Sequence, residues 1–159
     1  MTVGYNTYGG VKTATFTGTG ELGWGATALL SGATVAIIVG YSSIGNGAFF
    51  QAGLTSIIIP ASVTSIGSVA FRAASALTTV TFEAGSSLNS IGQSAFYQAT
   101  SLTSISIPAS VTSIGDYAFH SAPALTRVTF EAGSLLESIG SSTFQNSGVT
   151  TVIASQLLI

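Results

Sequence analysis

Residues 102–119 read Leu-Thr-Ser-Ile-Ser-Ile-Pro-Ala-Ser-Val-Thr-Ser-Ile-Gly-Asp-Tyr-Ala-Phe, and this pattern returns along most of the chain. Its second half, Ser-Ile-Gly-x-x-Ala-Phe, occurs at residues 43–49, 65–71, 90–96 and 113–119, and with Thr in place of Ala at 138–144. The Ile-Gly pairs are therefore 22, 25, 23 and 25 residues apart. A period of this length is typical of a solenoid, in which each repeat forms one turn and buries its apolar face against its neighbours.

Each turn is predicted to contain two short strands. In the first strand, apolar residues alternate with polar ones, which is the period of a half-buried strand. Its inward residues are expected to form two columns, Ile57, Val80, Ile105, Val128 and Val152 in one and Ile59, Phe82, Ile107 and Phe130 in the other. The second strand, Val-Thr-Ser-Ile or its variant, is expected to add Val63, Leu88, Val111 and Leu136 to the core.

The segment after each second strand is predicted to be a helical or 3₁₀ turn that carries a phenylalanine into the core. The glycine at its start is expected to end the strand at a positive φ angle. The phenylalanines form a predicted structural spine of Phe49, Phe71, Phe96, Phe119 and Phe144. Counting back from Ile44 places the first turn at about residues 32–53, with Val35 and Ile37 facing inward.

The sequence at residues 102–119 resembles the repeat of the BspA-like leucine-rich repeat family. Residues 13–22, Thr-Ala-Thr-Phe-Thr-Gly-Thr-Gly-Glu-Leu, are similar to the strand that opens many members of that family. The resemblance implies a right-handed solenoid, an extracellular or cell-surface location, roles in adhesion or binding, and no enzyme activity. We therefore expect an all-β-dominated leucine-rich-repeat solenoid of about five and a half turns at residues 32–159, the last turn incomplete, after an N-terminal strand cap or assembly segment at residues 1–31.

Charged residues make up only 5% of the chain, against about 25% in an average soluble domain. The net charge is −2, and Lys12, Arg72 and Arg127 are far apart in sequence, so a nucleic-acid partner is not expected. The chain has no cysteine, and neither a metal nor a cofactor is expected. Residues 26–39 are apolar but too short for a membrane span, and the N-terminus lacks the features of a signal peptide.

Catalysis is not expected, although the single histidine, His120, lies close in sequence to Asp116 and Ser121. A catalytic triad is defined by geometry and not by proximity along the chain. Glu83 and Glu131 lie two turns apart, too far at about 4.8 Å per rung to share a metal ion. They are expected to be solvated or ion-paired.

The first functional hypothesis is a structural protein that self-assembles head to tail into an extracellular filament. The C-terminal segment is apolar and is expected to leave an open strand edge, which is a template for pairing with another chain. A contact between two different ends does not close and gives a fibre. The expected interface consists of Tyr5, Tyr8, Thr13, Thr15, Phe16, Thr17 and Trp24 at one end and Val149, Val152, Ile153, Leu157, Leu158 and Ile159 at the other.

Three alternatives remain open from the sequence. In the first alternative, residues 1–30 and 155–159 fold back as ordinary caps on a monomer. The outward Ser and Thr columns are suited to a binding module that recognises a protein or a glycan. Thr79, Thr81 and Thr129 fit an ice-binding lattice, which Ile58 and Arg127 interrupt. A covalently attached glycan would need Ser or Thr, because no Asn-x-Ser/Thr sequon is present.

Overall fold

The computed structural model describes residues 1–154 and shows a β-solenoid of about six turns with almost no helix, as the sequence predicted. The strands are β1 (Thr2–Tyr8), β2 (Val11–Leu22), β3 (Val35–Ile44), β4 (Ser56–Ile59), β5 (Ser65–Ile66), β6 (Thr79–Phe82), β7 (Ser90–Ile91), β8 (Ser104–Ile107), β9 (Ser113–Ile114), β10 (Arg127–Phe130), β11 (Ser138–Ile139) and β12 (Thr151–Ala154), and one 3₁₀-helix spans Ala26–Leu29.

The short strands stack in parallel along two sides of the solenoid. The second strands form the continuous series β5–β7–β9–β11, and the long strand β3 contributes to both sides. The first strands form two separate groups, β3–β4–β6 and β8–β10–β12. Within residues 1–154 no ladder joins β6 to β8, and Pro108, which follows β8, has no N–H to donate toward the preceding turn.

The predicted phenylalanine spine is present in the structure. Its rings stack at centroid distances of 5.3, 5.0, 5.2 and 5.6 Å, with neighbouring planes within 10° of parallel. Phe16 closes the N-terminal end of the spine, packing edge-on against Phe49 at 5.6 Å. Phe16 is completely buried, so its expected place in an exposed assembly interface was wrong and its side chain belongs to the core.

The predicted inward columns are buried through the middle of the solenoid, apart from Phe82, which is only partly buried. Ile57, Ile105 and Val128 are at most 3% exposed, and the matching second-strand residues are equally inaccessible. The columns open toward the C-terminal end, where Leu136 and Phe144 are only partly buried and Val152 is 58% exposed. No turn within the described residues covers Val152 from that side.

The first turn has a different register from the one predicted. Ala36 and Ile38 are buried, whereas Val35 and Ile37, which were expected to face inward, are only partly buried. Ala36 pairs with Ile57, and Ile44 pairs with Ile66. The stretch from Ala36 to Ile44 is therefore one residue shorter than the matching stretch of the following turn. Because side chains alternate along a strand, that one-residue difference exchanges the two faces.

The turn that carries each spine phenylalanine is not helical. It is a series of i→i+3 turns, such as those closed by Ala70 N to Gly67 O and Arg72 N to Val69 O. Residues in the left-handed region alternate through it, including Val69 at φ 53° and Ala73 at φ 58°. Hydrogen bonds to the following turn, Val69 N to Gln93 O at 2.9 Å and Ala73 N to Tyr97 O at 2.8 Å, hold these residues in place.

The glycine of each Ile-Gly pair has an ordinary φ angle, so the predicted positive φ was wrong. The glycine is required by the close approach of the preceding rung. A Cβ atom at Gly92 would lie 2.7 Å from Ser68 N, and one at Gly115 would lie 2.6 Å from Gln93 N. Contacts this short do not occur, so a side chain at these positions would separate the two rungs.

The N-terminal segment forms a hairpin that covers one side of the first turn. β1 pairs antiparallel with β2, and β2 pairs in parallel with β3. β2 is therefore bonded on both sides, to β1 and to β3. Its parallel pairing with β3 begins at Thr13, so the parallel stacking extends into the N-terminal segment at residues 1–31.

Candidate functional site

Outward-facing residues that follow the spine phenylalanines line up along the turn side of the solenoid. They are Phe50, Arg72, Tyr97, His120 and Gln145. Backbone hydrogen bonds between turns fix this alignment. For example, the N–H of Ala73, the residue after Arg72, donates to the carbonyl oxygen of Tyr97 in the following turn. Trp24 extends the row at the N-terminal end. We call Trp24, Phe50, Arg72, Tyr97 and His120 the aromatic stripe.

The side chains of the aromatic stripe contact one another in two groups, Trp24 with Phe50 and Arg72 with Tyr97 and His120. The Trp24 and Phe50 rings stack at 5.9 Å and 21°. The Arg72 guanidinium lies 5.0 Å from the centre of the Tyr97 ring, and Tyr97 stacks on His120 at 5.1 Å and 6°. An exposed cation–π contact of this kind contributes about 0.5–1 kcal/mol. The contacts give the row a fixed shape before any partner binds.

The aromatic stripe is accessible to a partner. Trp24 is 69% exposed, Arg72 is exposed, and Phe50, Tyr97 and His120 are half-buried. Tyr117 adds a further exposed ring that packs edge-on against His120 at 5.6 Å. At about 4.8 Å per rung the row is about 20 Å long. This surface was not predicted from the sequence because its residues differ in type, although the constant position of Phe50, Arg72, Tyr97 and His120 after a spine phenylalanine is a usable signal.

The residues that resemble part of a catalytic triad do not form one. Ser121 Oγ lies 2.8 Å from His120 Nδ1, but Asp116 is engaged elsewhere. Its Oδ1 accepts a hydrogen bond from Ser141 N at 2.6 Å. The carboxylate therefore supports the following turn, and the His120 ring is held by its stacking contacts.

Glu83 and Glu131 each bond to the preceding turn. Their Oε2 atoms accept from Ala61 N at 3.2 Å and Ala109 N at 3.3 Å. Ala61 and Ala109 each follow a proline, whose nitrogen has no hydrogen to donate to a neighbouring strand. Each glutamate therefore accepts the first backbone N–H after the proline, at the point where the strand ladder ends. Among the described residues, no group of three or more His, Cys, Asp or Glu side chains is placed to hold a metal ion.

The expected N-terminal interface residues lie on or next to the hairpin. Tyr5 donates its hydroxyl to Leu29 O, and Lys12 lies 4.8 Å from the centre of the Tyr5 ring. Tyr8 is 89% exposed at the hairpin tip. Of the remaining residues, Thr13 and Thr15 are half-buried and Thr17 is exposed.

The expected C-terminal interface residues lie at the opposite end of the solenoid. Val152 and Ile153 on β12 are 58% and 44% exposed, and Ile139 on β11 is 47% exposed. Val149 is half-buried, while Leu157, Leu158 and Ile159 lie outside the described residues. Within one molecule, the structure does not bring the two predicted sets together.

Several hydroxyls on the first-strand side are already used inside the solenoid. Thr55, Thr78 and Thr126 each donate to a backbone carbonyl of the preceding turn, at 3.1, 2.9 and 3.4 Å. The break between β6 and β8 also divides this side. The first-strand side therefore does not present a single, regular lattice of hydroxyl groups. Residues 1–154 contain no helix of the length and apolarity that a membrane crossing needs.

The stacked parallel turns and the buried aromatic spine define the protein as a leucine-rich repeat solenoid. The model of the BspA type leucine-rich repeat region matches residues 42–158 in six copies, and the chain belongs to this family. A comparison with curated proteins found no match.

Two solved structures illustrate the similarity. The leucine-rich repeat protein of T. pallidum, TpLRR, is 22% identical, with a TM-score of 0.70 over 94% of this chain and 67% of its own. A leucine-rich repeat protein from Bacteroides capillosus is also 22% identical, with a TM-score of 0.49 over 96% of this chain and 93% of its own. At these identities the likeness concerns the fold alone.

Proposed function

We propose that this protein is a cell-surface binding module whose partner, a protein or a glycan, lies along the aromatic stripe. The observation that carries the proposal is the continuous contact from Arg72 through Tyr97 to His120, with the stacked pair of Phe50 and Trp24 on its N-terminal side. Proteins with BspA-type repeats are usually found at the cell surface, and their scaffold is generally non-enzymatic.

The chemistry of the aromatic stripe suits an extended partner. Trp, Tyr and Arg are the residue types enriched at binding hot spots, because they combine large contact areas with a polar group. One ring or guanidinium plane per rung offers repeated stacking surfaces, which match successive sugar rings or the side chains of an extended peptide. The Ser and Thr columns lack such anchors, and some of their neighbouring hydroxyls are already bonded.

Binding by the purified chain to arrays of glycans and extracellular proteins tests the proposal. For any ligand found, Arg72→Ala and Tyr97→Ala should each weaken binding about tenfold or more, as expected for hot-spot residues. Thr79→Ala and Ser104→Ala are matched controls, since both change exposed residues of the first-strand side. Loss of binding in the controls, with the stripe variants unchanged, would place the partner on the hydroxyl columns instead.

A second candidate is head-to-tail self-assembly, which the exposed C-terminal edge favours. Ile139, Val152 and Ile153 expose apolar side chains beside two parallel strand edges, and β1 has an outer edge that no described strand pairs with. A second copy offers complementary edges at its other end, and the low charge of the chain gives little repulsion between copies.

Electron microscopy and sedimentation at several concentrations test the self-assembly candidate. We expect fibres from the unaltered chain, and only single particles from Ile139→Lys or after deletion of residues 156–159. Ser104→Lys, which adds the same charge away from both ends, should still polymerise. Monodisperse particles at every concentration, or fibres that persist in both end variants, would rule out end pairing.

A further inference from the structure

A cavity of about 450 Å³ lies at the N-terminal end of the solenoid, and of its lining only Trp24 belongs to the aromatic stripe. Its lining consists of Met1, Gly18, Thr19, Glu21, Gly23, Trp24 and Tyr41. The volume is within the range of roughly 300–1,000 Å³ that is typical of small-molecule sites. Besides Met1, the walls combine two glycines and Thr19 with three side chains that carry distinct binding chemistry.

Tyr41 gives the cavity a buried polar group. It occupies the core column that holds Val63, Leu88 and Val111 in later turns, so its phenol projects beyond the space that those side chains fill. Gly18 accommodates the phenol, because a Cβ atom there would lie 2.4 Å from the Tyr41 hydroxyl. Tyr41 is only 2% exposed, and within residues 1–154 its hydroxyl has no hydrogen-bond partner. Burial also raises the pKa of this phenol, so the group stays a donor at neutral pH.

The backbone above the Tyr41 hydroxyl is irregular. The register between β2 and β3 shifts on either side of Gly20, which has a φ of 76°. Thr17 pairs with Val39 and Gly20 with Tyr41, so regular pairing is interrupted at residues 18 and 19, where Gly18 lies against the phenol. Tyr41 lines the cavity beside this irregular segment.

Trp24 provides an apolar platform at the rim. One side of the indole packs over Gly47, where a Cβ atom would lie only 1.8 Å from the ring, and stacks on Phe50. The side chain nevertheless remains 69% exposed, because its other side faces outward. The indole is therefore held in place on one side and open on the other.

Glu21 supplies the acceptor. Its carboxylate lies against the backbone at Gly45, where a Cβ atom would be 2.5 Å from Oε1. The residue is exposed, and no hydrogen bond or salt bridge to its carboxylate occurs in the described part of the chain. The Glu21 carboxylate disfavours an anionic ligand, and a single carboxylate is too few for a divalent cation.

We propose that this cavity binds a neutral hexopyranose, either free or at the end of a glycan. The apolar C–H face of the sugar packs on Trp24, a pair of its hydroxyls donates to Glu21, and a ring or hydroxyl oxygen accepts from Tyr41. This arrangement satisfies the one buried hydroxyl that the protein leaves unpaired, and it combines an apolar surface with a few convergent polar groups. The proposal goes beyond the aromatic stripe, with which it shares only Trp24.

The emission of Trp24, the single tryptophan of the chain, reports on this site directly. The full chain is titrated with the methyl glycosides of glucose, galactose, mannose and N-acetylglucosamine. We expect a saturable change with at least one of them, with a Kd no weaker than about 10 mM. Glu21→Gln should weaken that binding at least about tenfold, the loss of one charge-assisted hydrogen bond, and Tyr41→Phe should weaken it severalfold.

Two controls separate this site from the aromatic stripe and from misfolding. Arg72→Ala and Tyr97→Ala should bind the glycoside as the unaltered chain does, even where they abolish binding of an extended partner. Circular dichroism confirms that each variant is folded. The proposal is overturned if none of the four glycosides gives a saturable change, or if Glu21→Gln and Tyr41→Phe both bind with unchanged affinity.

Discussion

Two copies of the same motif, at residues 65–71 and 138–144, differ sharply in burial. Ile66 is 1% exposed and Phe71 is fully buried, whereas Ile139 is 47% exposed and Phe144 is only half-buried. The residue types at the compared positions are identical, so the difference comes from the neighbouring turns. At the other end the hairpin and Phe16 cover the spine. Burial in this fold is therefore supplied by the turns on both sides and not by the motif itself.

The comparison is tested most strongly by truncating the spine. Phe96→Ala should lower the free energy of unfolding by about 3–5 kcal/mol, because it opens a cavity between two stacked rings. Phe144→Ala should cost less, about 1–2 kcal/mol, since solvent already reaches this ring. Urea unfolding monitored by circular dichroism measures both. Equal losses at the two positions would show that the end is as well packed as the middle.

A second test concerns how closely the rungs approach. Gly92→Ala should cost about 1–3 kcal/mol, because the new methyl group would lie 2.7 Å from backbone atoms of the preceding turn. Gly53→Ala is the matched control, since its φ angle is ordinary and no atom lies within 4 Å of the added Cβ. The control should be neutral or slightly stabilising in the same urea experiment. A destabilised Gly53→Ala with an unaffected Gly92→Ala would contradict the steric role assigned to the glycine column.

The repeated parts of the fold could be predicted because each position recurs with the same physical character. Period-two alternation placed Ile57 and Ile105 in one buried column, and the fixed spacing of phenylalanine predicted the spine. The first turn could not be placed, because its one-residue shortening leaves Ala36 and Ile38 inside without changing any motif. Val69 gave no local signal for a left-handed backbone, because β-branched residues avoid this conformation and the bond from its N–H to Gln93 O comes from the following turn.

The candidate sites were less predictable than the core. The aromatic stripe has a constant position but no constant residue type, so a search for repeated residues passes over it. Tyr41 illustrates the same limit, because it fills a column of Val and Leu and was absent from the predicted core. The phenol of Tyr41 fits only because Gly18 lies against it. Gly18 is distant in sequence, and the two residues meet because β2 lies beside β3.

The smallest expected effect concerns Tyr41 and tests how completely the N-terminal end of the solenoid is closed. Tyr41→Phe should stabilise the unliganded chain by about 1 kcal/mol, because it removes a buried hydroxyl that has no partner in residues 1–154. Burial raises the pKa of the Tyr41 phenol above its ordinary value of 10.0, so the unfolded chain loses this proton at a lower pH than the folded one. Proton release therefore favours unfolding above about pH 10, and stability should fall with rising pH more steeply in the unaltered chain than in Tyr41→Phe. Urea unfolding at pH 7 and above pH 10 measures both effects. A destabilised Tyr41→Phe at pH 7 would mean that a bound water already satisfies the hydroxyl, and that this end is closed as completely as the middle of the solenoid.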